Sequence, residues 1–273
     1  MLNILIFSKD RACQLELLLR SMAKHFDGIE KYRINVLFIY TNDEFKEGYQ
    51  ELTTKYIPKN LNVDFHYERI YGFKAGVLRL IDPGNAYTMF AVDDNVFKAH
   101  FSLDSKEFER FASDDKIACL SPRMYPGINY CYTARLDSPA PTFDEPGVWR
   151  WAGYKGDWSY PMSIDTHVFR TKDIMPHLLN LDYKNPNTLE GHMANRCLSA
   201  TKMICFQEAK VMNLPINKVQ TANGNHCGNI SAEFLNQQFL SGKTISLLEI
   251  EETMNTAPHQ EVDIQWVVGN DCS

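Results

Sequence analysis

Within the first hundred residues short apolar runs alternate with segments of helical period, and the fourth run stops at Asp93-Asp94-Asn95. That alternation directs the chain toward a parallel sheet covered by helices, an α/β fold. LNILIF (2–7), INVLFIY (34–40), NVDFHY (62–67) and AYTMFAV (86–92) read as strands, the second almost wholly apolar, as expected of a strand buried on both faces. Between the first two, Asp10 is placed to cap a helix whose apolar side holds Leu15, Leu17, Leu18, Leu19 and Met22, with Gly28 beyond its end. A polar helix follows Thr41-Asn42-Asp43 and runs to about Tyr56, and FKAGVLRLI (73–81) reads as another. Ligands of open α/β sheets bind beyond the carboxyl ends of the strands. Ser8-Lys9-Asp10-Arg11, Thr41-Asn42-Asp43 and Asp93-Asp94-Asn95 all sit there, so they are expected to converge on one edge.

The second half is less regular, with residues 121–161 rich in Pro, Gly, Tyr and Trp. MSIDTHVFRT (162–171) reads as a strand, followed by a helix from Asp173 and another over about Thr188 to Ser199 with Leu189, Met193 and Leu198 toward the core. KMICFQ (202–207) and KVMNLP (210–215) read as strand-like runs, and the tail carries a helix at AEFLNQQFL and a second around Ser246 to Met254. No repeat or low-complexity linker divides the chain, which is therefore expected to form one domain over residues 1–273. A chain of 273 residues buries roughly 70–75% of its unfolded surface and needs no disulfide or structural metal to stay folded. The formal charge of −6 argues against nucleic acid as the main partner, which would require a basic face. Seven scattered cysteines without a Cys-x-x-Cys pair read as reduced thiols. No apolar stretch approaches the ~20 residues of a membrane span, and the start of the chain reads as a strand instead of a signal. The expectation is a soluble, cytoplasmic protein, in which the sequon at Asn229 is fortuitous.

Adjacent carboxylates at the end of an apolar strand repel unless a cation or hydrogen-bond donors lie between them. A hard divalent ion, Mg²⁺ or Mn²⁺, suits such an oxygen-rich motif and commonly shares its coordination with substrate phosphates. The plainer alternative is a capped loop, since Asp and Asn are frequent after strands.

FSKDRACQLELLLRSM after the first strand, IYTND after the second, GFKAGV before the fourth and FAVDDNVF at its end occur in the order found in a known family. In these features the chain resembles the metal-dependent, family-2-like glycosyltransferases of the GT-A fold, well over residues 1–100 and in outline beyond. The resemblance implies a Rossmann-like, mostly parallel sheet flanked by helices, with a mixed C-terminal half. It divides the chain into a nucleotide-sugar half (1–100), an acceptor half (101–230) and a C-terminal helical tail (231–273). It also implies roles for individual residues. Ser8 and Arg11 would contact the base or phosphates, Asn42 or Asp43 the base N–H, Lys74 the base and ribose, and Asp93 the ribose. Asp94 and Asn95 lie where the DXD motif binds its cation, although Asn95 stands where the family has an aspartate, and His226 is the candidate for a further metal ligand. LEGHMANR (189–196) matches the helix that supplies the general base of inverting enzymes, with Glu190 as first choice, Asp165 second and His192 third. Glu190 is also open to a purely structural reading as a carboxylate at a helix N-terminus.

Trp149, Trp151, Tyr154, Trp158 and Tyr160 form an aromatic-rich stretch that could line a sugar site or, equally, plug the core beneath a loop. Asp157 within it, with Trp151, Trp158 and His192, completes the set expected to face donor or acceptor sugar. There is no G-x-S-x-G elbow, Walker A loop or His-Glu-x-x-His, which weakens hydrolase and NTPase readings. The expected activity is metal-dependent, inverting transfer of a sugar from a UDP- or dTDP-linked donor to a carbohydrate acceptor, in the assembly of a surface glycan and with peripheral membrane contact open to the C-terminal helices. A sugar nucleotidyltransferase and a non-catalytic carbohydrate-binding protein are the alternatives.

Overall fold

The computed structural model describes residues 1–195, 199–217, 228 and 230–268. Along the chain, β1 (Leu2–Lys9), α1 (Ala12–His25), β2 (Arg33–Ile39), α2 (Asp43–Glu51), β3 (Asn62–Tyr67), α3 (Phe73–Leu80) and β4 (Tyr87–Val92) follow the expected alternation. Then come β5 (Asn95–Phe97), α4 (Lys106–Ser113), β6 (Ile117–Ser121), β7 (Tyr130–Cys131), β8 (Leu136–Asp137), β9 (Val148–Arg150), β10 (Val168–Arg170), α5 (Thr171–Asn180) and α6 (Pro186–Ala194). The last described elements are β11 (Lys202–Cys205), β12 (Val211–Asn213), α7 (Ala232–Leu240), β13 (Lys243–Ile245), α8 (Leu248–Glu252) and β14 (Trp266–Val268).

Eight strands form one sheet in the order β3-β2-β1-β4-β10-β6-β11-β9. β10 and β9 run against their neighbours and the others run one way, giving the mainly parallel sheet expected. Because side chains alternate across a strand, Ile4 and Ile6 of β1 pack with Leu15, Leu18 and Met22 of α1 on one face. Leu5 and Phe7 pack with Phe73 and Val77 of α3 on the other, where Ile174, Leu178, Leu189 and Met193 of α5 and α6 continue the layer. Both layers are built of buried apolar side chains, and the carboxyl edge of the sheet carries the hydrophilic clusters.

One pairing determines how the two halves meet. β10 is antiparallel to β4, with Val168 opposite Met89, and Thr166 N–H donates to the Phe90 carbonyl at 2.8 Å. The residues entering β10 therefore lie beside the end of β4, at Asp93 and Asp94. The expected strand over 162–171 is confined to Val168–Arg170. Its first half is a loop, in which Thr166 has φ 61° and the Ser163 hydroxyl bonds the Asp165 carboxylate at 3.3 Å. The tail is less helical than expected, since β13 and β14 pair beside α7 and the short α8. Among the described residues no helix is long and apolar enough to cross a membrane. Cys13, Cys119, Cys131 and Cys205 are buried free thiols.

Candidate active site

β1 delivers the first group of residues. Asp10, at φ 57°, does not cap α1. Its Oδ1 accepts from Thr41 N at 2.7 Å, tying the ends of β1 and β2 together, and the N-cap position falls to Arg11 without a side-chain bond. Ser8 is buried and bonds the Tyr49 hydroxyl at 2.7 Å, so it supports the floor and leaves the rim to others. Asp93 is buried, its Oδ2 accepting from Lys9 N at 3.1 Å and its Oδ1 from Arg11 Nη1 at 3.0 Å. The same Nη1 lies 3.5 Å from Asp94 Oδ2, and Arg11 Nη2 donates to the Asn217 carbonyl at 2.5 Å. Asn42 and Asp43 are exposed at the start of α2, where Asn42 Oδ1 caps the helix by accepting from Phe45 N at 3.0 Å. Lys74 is turned to the end of α5 and donates to the carbonyls of Leu179 and Leu181 at 3.0 and 2.6 Å. In this conformation Lys74 acts as a cap for α5.

The second group comes from across the sheet. Arg123, 1% exposed, follows β6 and is shared between two carboxylates, Nη2 lying 3.2 Å from Asp157 Oδ1 and Nη1 3.2 Å from Asp165 Oδ2. His259 Nε2, brought by the tail, lies 3.6 Å from the same Asp165 oxygen. Asn213 of β12 reaches Asp94 Oδ1 at 3.4 Å. Glu190 Oε1 accepts from the Ser163 hydroxyl at 2.9 Å and from Ile164 N at 3.1 Å. Helix α6 begins earlier than the expected Thr188, with Pro186 in its first turn and a reciprocal capping box between Asn185 and Thr188. Glu190 is thereby past the first turn, which contains no acid, and the helix-terminus reading does not explain it.

The electrostatics separate these carboxyls. Burial, with Asp165 adding its charge, pushes Glu190 up to about 7. Burial likewise pushes Asp94 up to about 7 against the opposing pull of Arg11. Asp165 is buried too, yet Arg123 and His259 beside it hold it below the ordinary carboxylate range. Burial and Arg123 lower His167 to about 3, so it is neutral. Its Nδ1–H donates to the Pro161 carbonyl and its Nε2 accepts from Ser121. That pair of bonds pins the loop carrying Asp165.

Buried polar side-chain atoms are normally partnered. Here Arg11 Nε, Asn95 Nδ2, Arg123 Nε, Asp157 Oδ2, Asn213 Oδ1, Asn217 Nδ2 and His259 Nδ1 are buried without a hydrogen-bond partner, and all belong to residues of this edge or their direct neighbours. Asn85 Oδ1, Tyr183 Oη, Asn236 Oδ1 and Glu249 Oε2 are unpartnered elsewhere in the fold, so this edge holds the larger share of such atoms among the described residues.

The expected metal ligands fit this geometry poorly. Asn95 is wholly buried in β5 and its Oδ1 accepts from Val92 N at 2.8 Å, closing the turn over Asp93-Asp94. The position between the two aspartates is held by the Arg11 guanidinium. Among the described residues no group of three or more His, Cys, Asp or Glu is placed to hold a metal ion. His226 and Leu198 lie outside the described residues. The aromatic stretch is also resolved differently at each ring. Trp158 is fully buried, edge-on to Trp149 at 4.9 Å between centroids and donating to the Ser138 carbonyl, so it is core and cannot stack on a sugar. Trp151 is half-buried, with its indole N–H on the Ala200 carbonyl. His192 is exposed, two residues from Glu190 and so on another side of α6.

The chain is 30% identical over 194 residues to the bifunctional glycosyltransferase pgtA of Dictyostelium discoideum, an alignment taking in 63% of this chain and 24% of that protein. The likeness is to a glycosyltransferase. The chain thus spans about a quarter of the length of the curated relative it matches. No family model matches it. Among solved structures it is similar to S. aureus TarS, with TM-score 0.42 and 12% identity over 75% of this chain and 36% of that one. TarS 1–349 in complex with UDP-GlcNAc gives TM-score 0.40 and 15% identity over 76% and 59%. Mouse xyloside xylosyltransferase 1 gives 0.37 and 10% over 70% and 74%.

Sequence reasoning missed Arg123, Asn213 and His259. Arg123 carried a signal, since it closes the apolar run IACLSPR as Arg11 closes the first strand. Asn213 and His259 carried none, because only the β5–β12 pairing and the path of the tail bring them to Asp94 and Asp165.

Proposed function

We propose that this chain binds a nucleoside-diphospho-sugar, of the UDP or dTDP type, across the carboxyl ends of β1, β2 and β4, and transfers the sugar to a carbohydrate hydroxyl with inversion. The observation that carries this reading is the placement of Glu190, whose Oε1 is fixed by the Ser163 hydroxyl and Ile164 N–H in the loop that leads into β10 beside the end of β4, and whose burial pushes it up to about 7. A general base works best with a pKa near the operating pH. In the reaction the acceptor oxygen attacks the anomeric carbon, the carbon–oxygen bond to the diphosphate breaks, and the acceptor proton passes to Glu190. In this reading Asp93 contacts the ribose and Arg11 the diphosphate, while Asp165 and Asp157, both paired with Arg123, hold sugar hydroxyls. The 30% identity to a glycosyltransferase supports the same class.

Glu190→Gln keeps the side chain's shape and removes the base. Turnover is expected to fall by about 10²–10⁴ with donor affinity unchanged. Turnover within a few-fold of the parent protein would remove Glu190 from the reaction.

A further inference from the structure

The carboxyl groups of Asp93 and Asp94 stand side by side, and the chain itself sets a positive charge against both. Arg11 Nη1 is 3.0 Å from Asp93 Oδ1 and 3.5 Å from Asp94 Oδ2, and Nη2 is fixed by the Asn217 carbonyl at 2.5 Å. The side chain is 11% exposed, so the guanidinium is held in place and is not a mobile surface group. A dication entering between the aspartates would have to displace it from both. The third motif residue offers no compensation, because Asn95 Oδ1 is engaged by Val92 N.

We infer that Arg11 takes the place of the divalent cation, so that the donor's diphosphate is held by a guanidinium of the chain itself and donor binding needs no metal. This rests on the nucleotide-sugar reading above. Arginine is suited to the task, since its planar fork binds phosphate through paired charge-assisted hydrogen bonds and its charge does not depend on pH. Among the described residues its Nε is buried without a hydrogen-bond partner, as is Asn217 Nδ2, and on this proposal they are the donors that meet the anionic ligand. In the transfer, the electron pair of the breaking carbon–oxygen bond goes to the diphosphate, where Arg11 stabilises the developing charge. The acceptor proton goes to Glu190, and no other reactant is required.

Titration calorimetry of UDP, dTDP and GDP into the full chain, first in EDTA and then in Mn²⁺, tests this. At least one nucleotide is expected to bind with dissociation constants within about threefold of each other in the two buffers, and Arg11→Gln to weaken that binding about 30-fold or more through loss of two charge-assisted contacts. Arg11→Lys, which keeps the charge without the fork, is expected to fall between. The EDTA comparison on the unmodified chain and the lysine variant stand even if Arg11→Gln folds poorly. Binding by the unmodified chain that appears only with Mn²⁺, or full affinity in a folded Arg11→Gln variant, would overturn the inference and leave the donor reading in place. No binding of any nucleotide in either buffer would overturn the donor reading and this inference with it.

Discussion

Glu190, Asp165 and Asp94 carry the same functional group and are set apart by their neighbours. Asp165 has Arg123 and His259 against it, whereas Glu190, among the described residues, accepts from a hydroxyl and an amide and feels Asp165 as a like charge that outweighs the pull of Arg123. If Glu190 is the proposed base, its shift to about 7 leaves it protonated in acid, and turnover is expected to rise about tenfold per pH unit up to neutrality and then level off. A pH–rate profile flat from pH 5 to 8 would contradict this. The same shift affects stability, with the opposite outcome. Glu190 is raised from 4.5 to about 7 and Asp94 from 3.8 to about 7, so between those limits the folded chain holds protons that the unfolded chain releases. Their contribution to stability is present below pH 4 and is lost as pH rises through 7. Melting temperatures taken from pH 5 to 8 should fall less steeply in Glu190→Gln than in the parent protein, and equal slopes would place the shift elsewhere. Composition could not show which aromatic ring meets ligand. Trp151 and Trp158 are close in sequence, yet only the second is sealed under Phe143 and Trp149. Trp158→Ala is expected to cost about 3–5 kcal/mol of stability by denaturant unfolding, where an effect on acceptor binding alone would contradict its core role.

The strands and helices of the first half were legible because period 2 and period 3.6 alternate cleanly there, and an almost wholly apolar run such as β2 can only be an interior strand. The loop before β10 was not legible, since its apolar residues are placed by side-chain bonds at Ser163, Asp165 and His167 and not by a sheet ladder. The start of α6 was displaced for a similar reason: the Asn185–Thr188 capping box and Pro186 outweigh the weak amphipathic signal. Two glycines test the elements around the site. Gly147 precedes β9 at φ +72°, and an added Cβ would lie 2.2 Å from the Cys205 carbonyl oxygen in β11. Gly147→Ala is expected to destabilise by about 2 kcal/mol or more. Gly191, inside α6 next to Glu190, has open space around it. Gly191→Ala should stabilise the helix by up to about 1 kcal/mol. Both are read from chemical denaturation, and a change of opposite sign in either would contradict the packing described.

At the scale of the whole molecule, antiparallel insertion of β10 between β4 and β6 decides the chemistry. It sets a loop from the second half of the chain against the end of β4, so that Asp165 lies close enough to help raise Asp94. From sequence, Asp93, Asp94, Asp165 and Glu190 could be named separately, and their convergence followed only from the resemblance; the sheet order supplies the physical reason. Arg123, Asn213 and His259 were illegible because their contacts span tens of residues and have no local pattern. If this edge receives a nucleotide-sugar, that ligand binds only the folded chain and raises its melting temperature by mass action. The most direct measurement is a thermal-shift panel of UDP-, dTDP-, GDP- and CMP-sugars at high concentration. One nucleotide class is expected to raise the transition by about 5–10 °C at a hundredfold excess over its dissociation constant. No shift with any of the four would contradict the donor site.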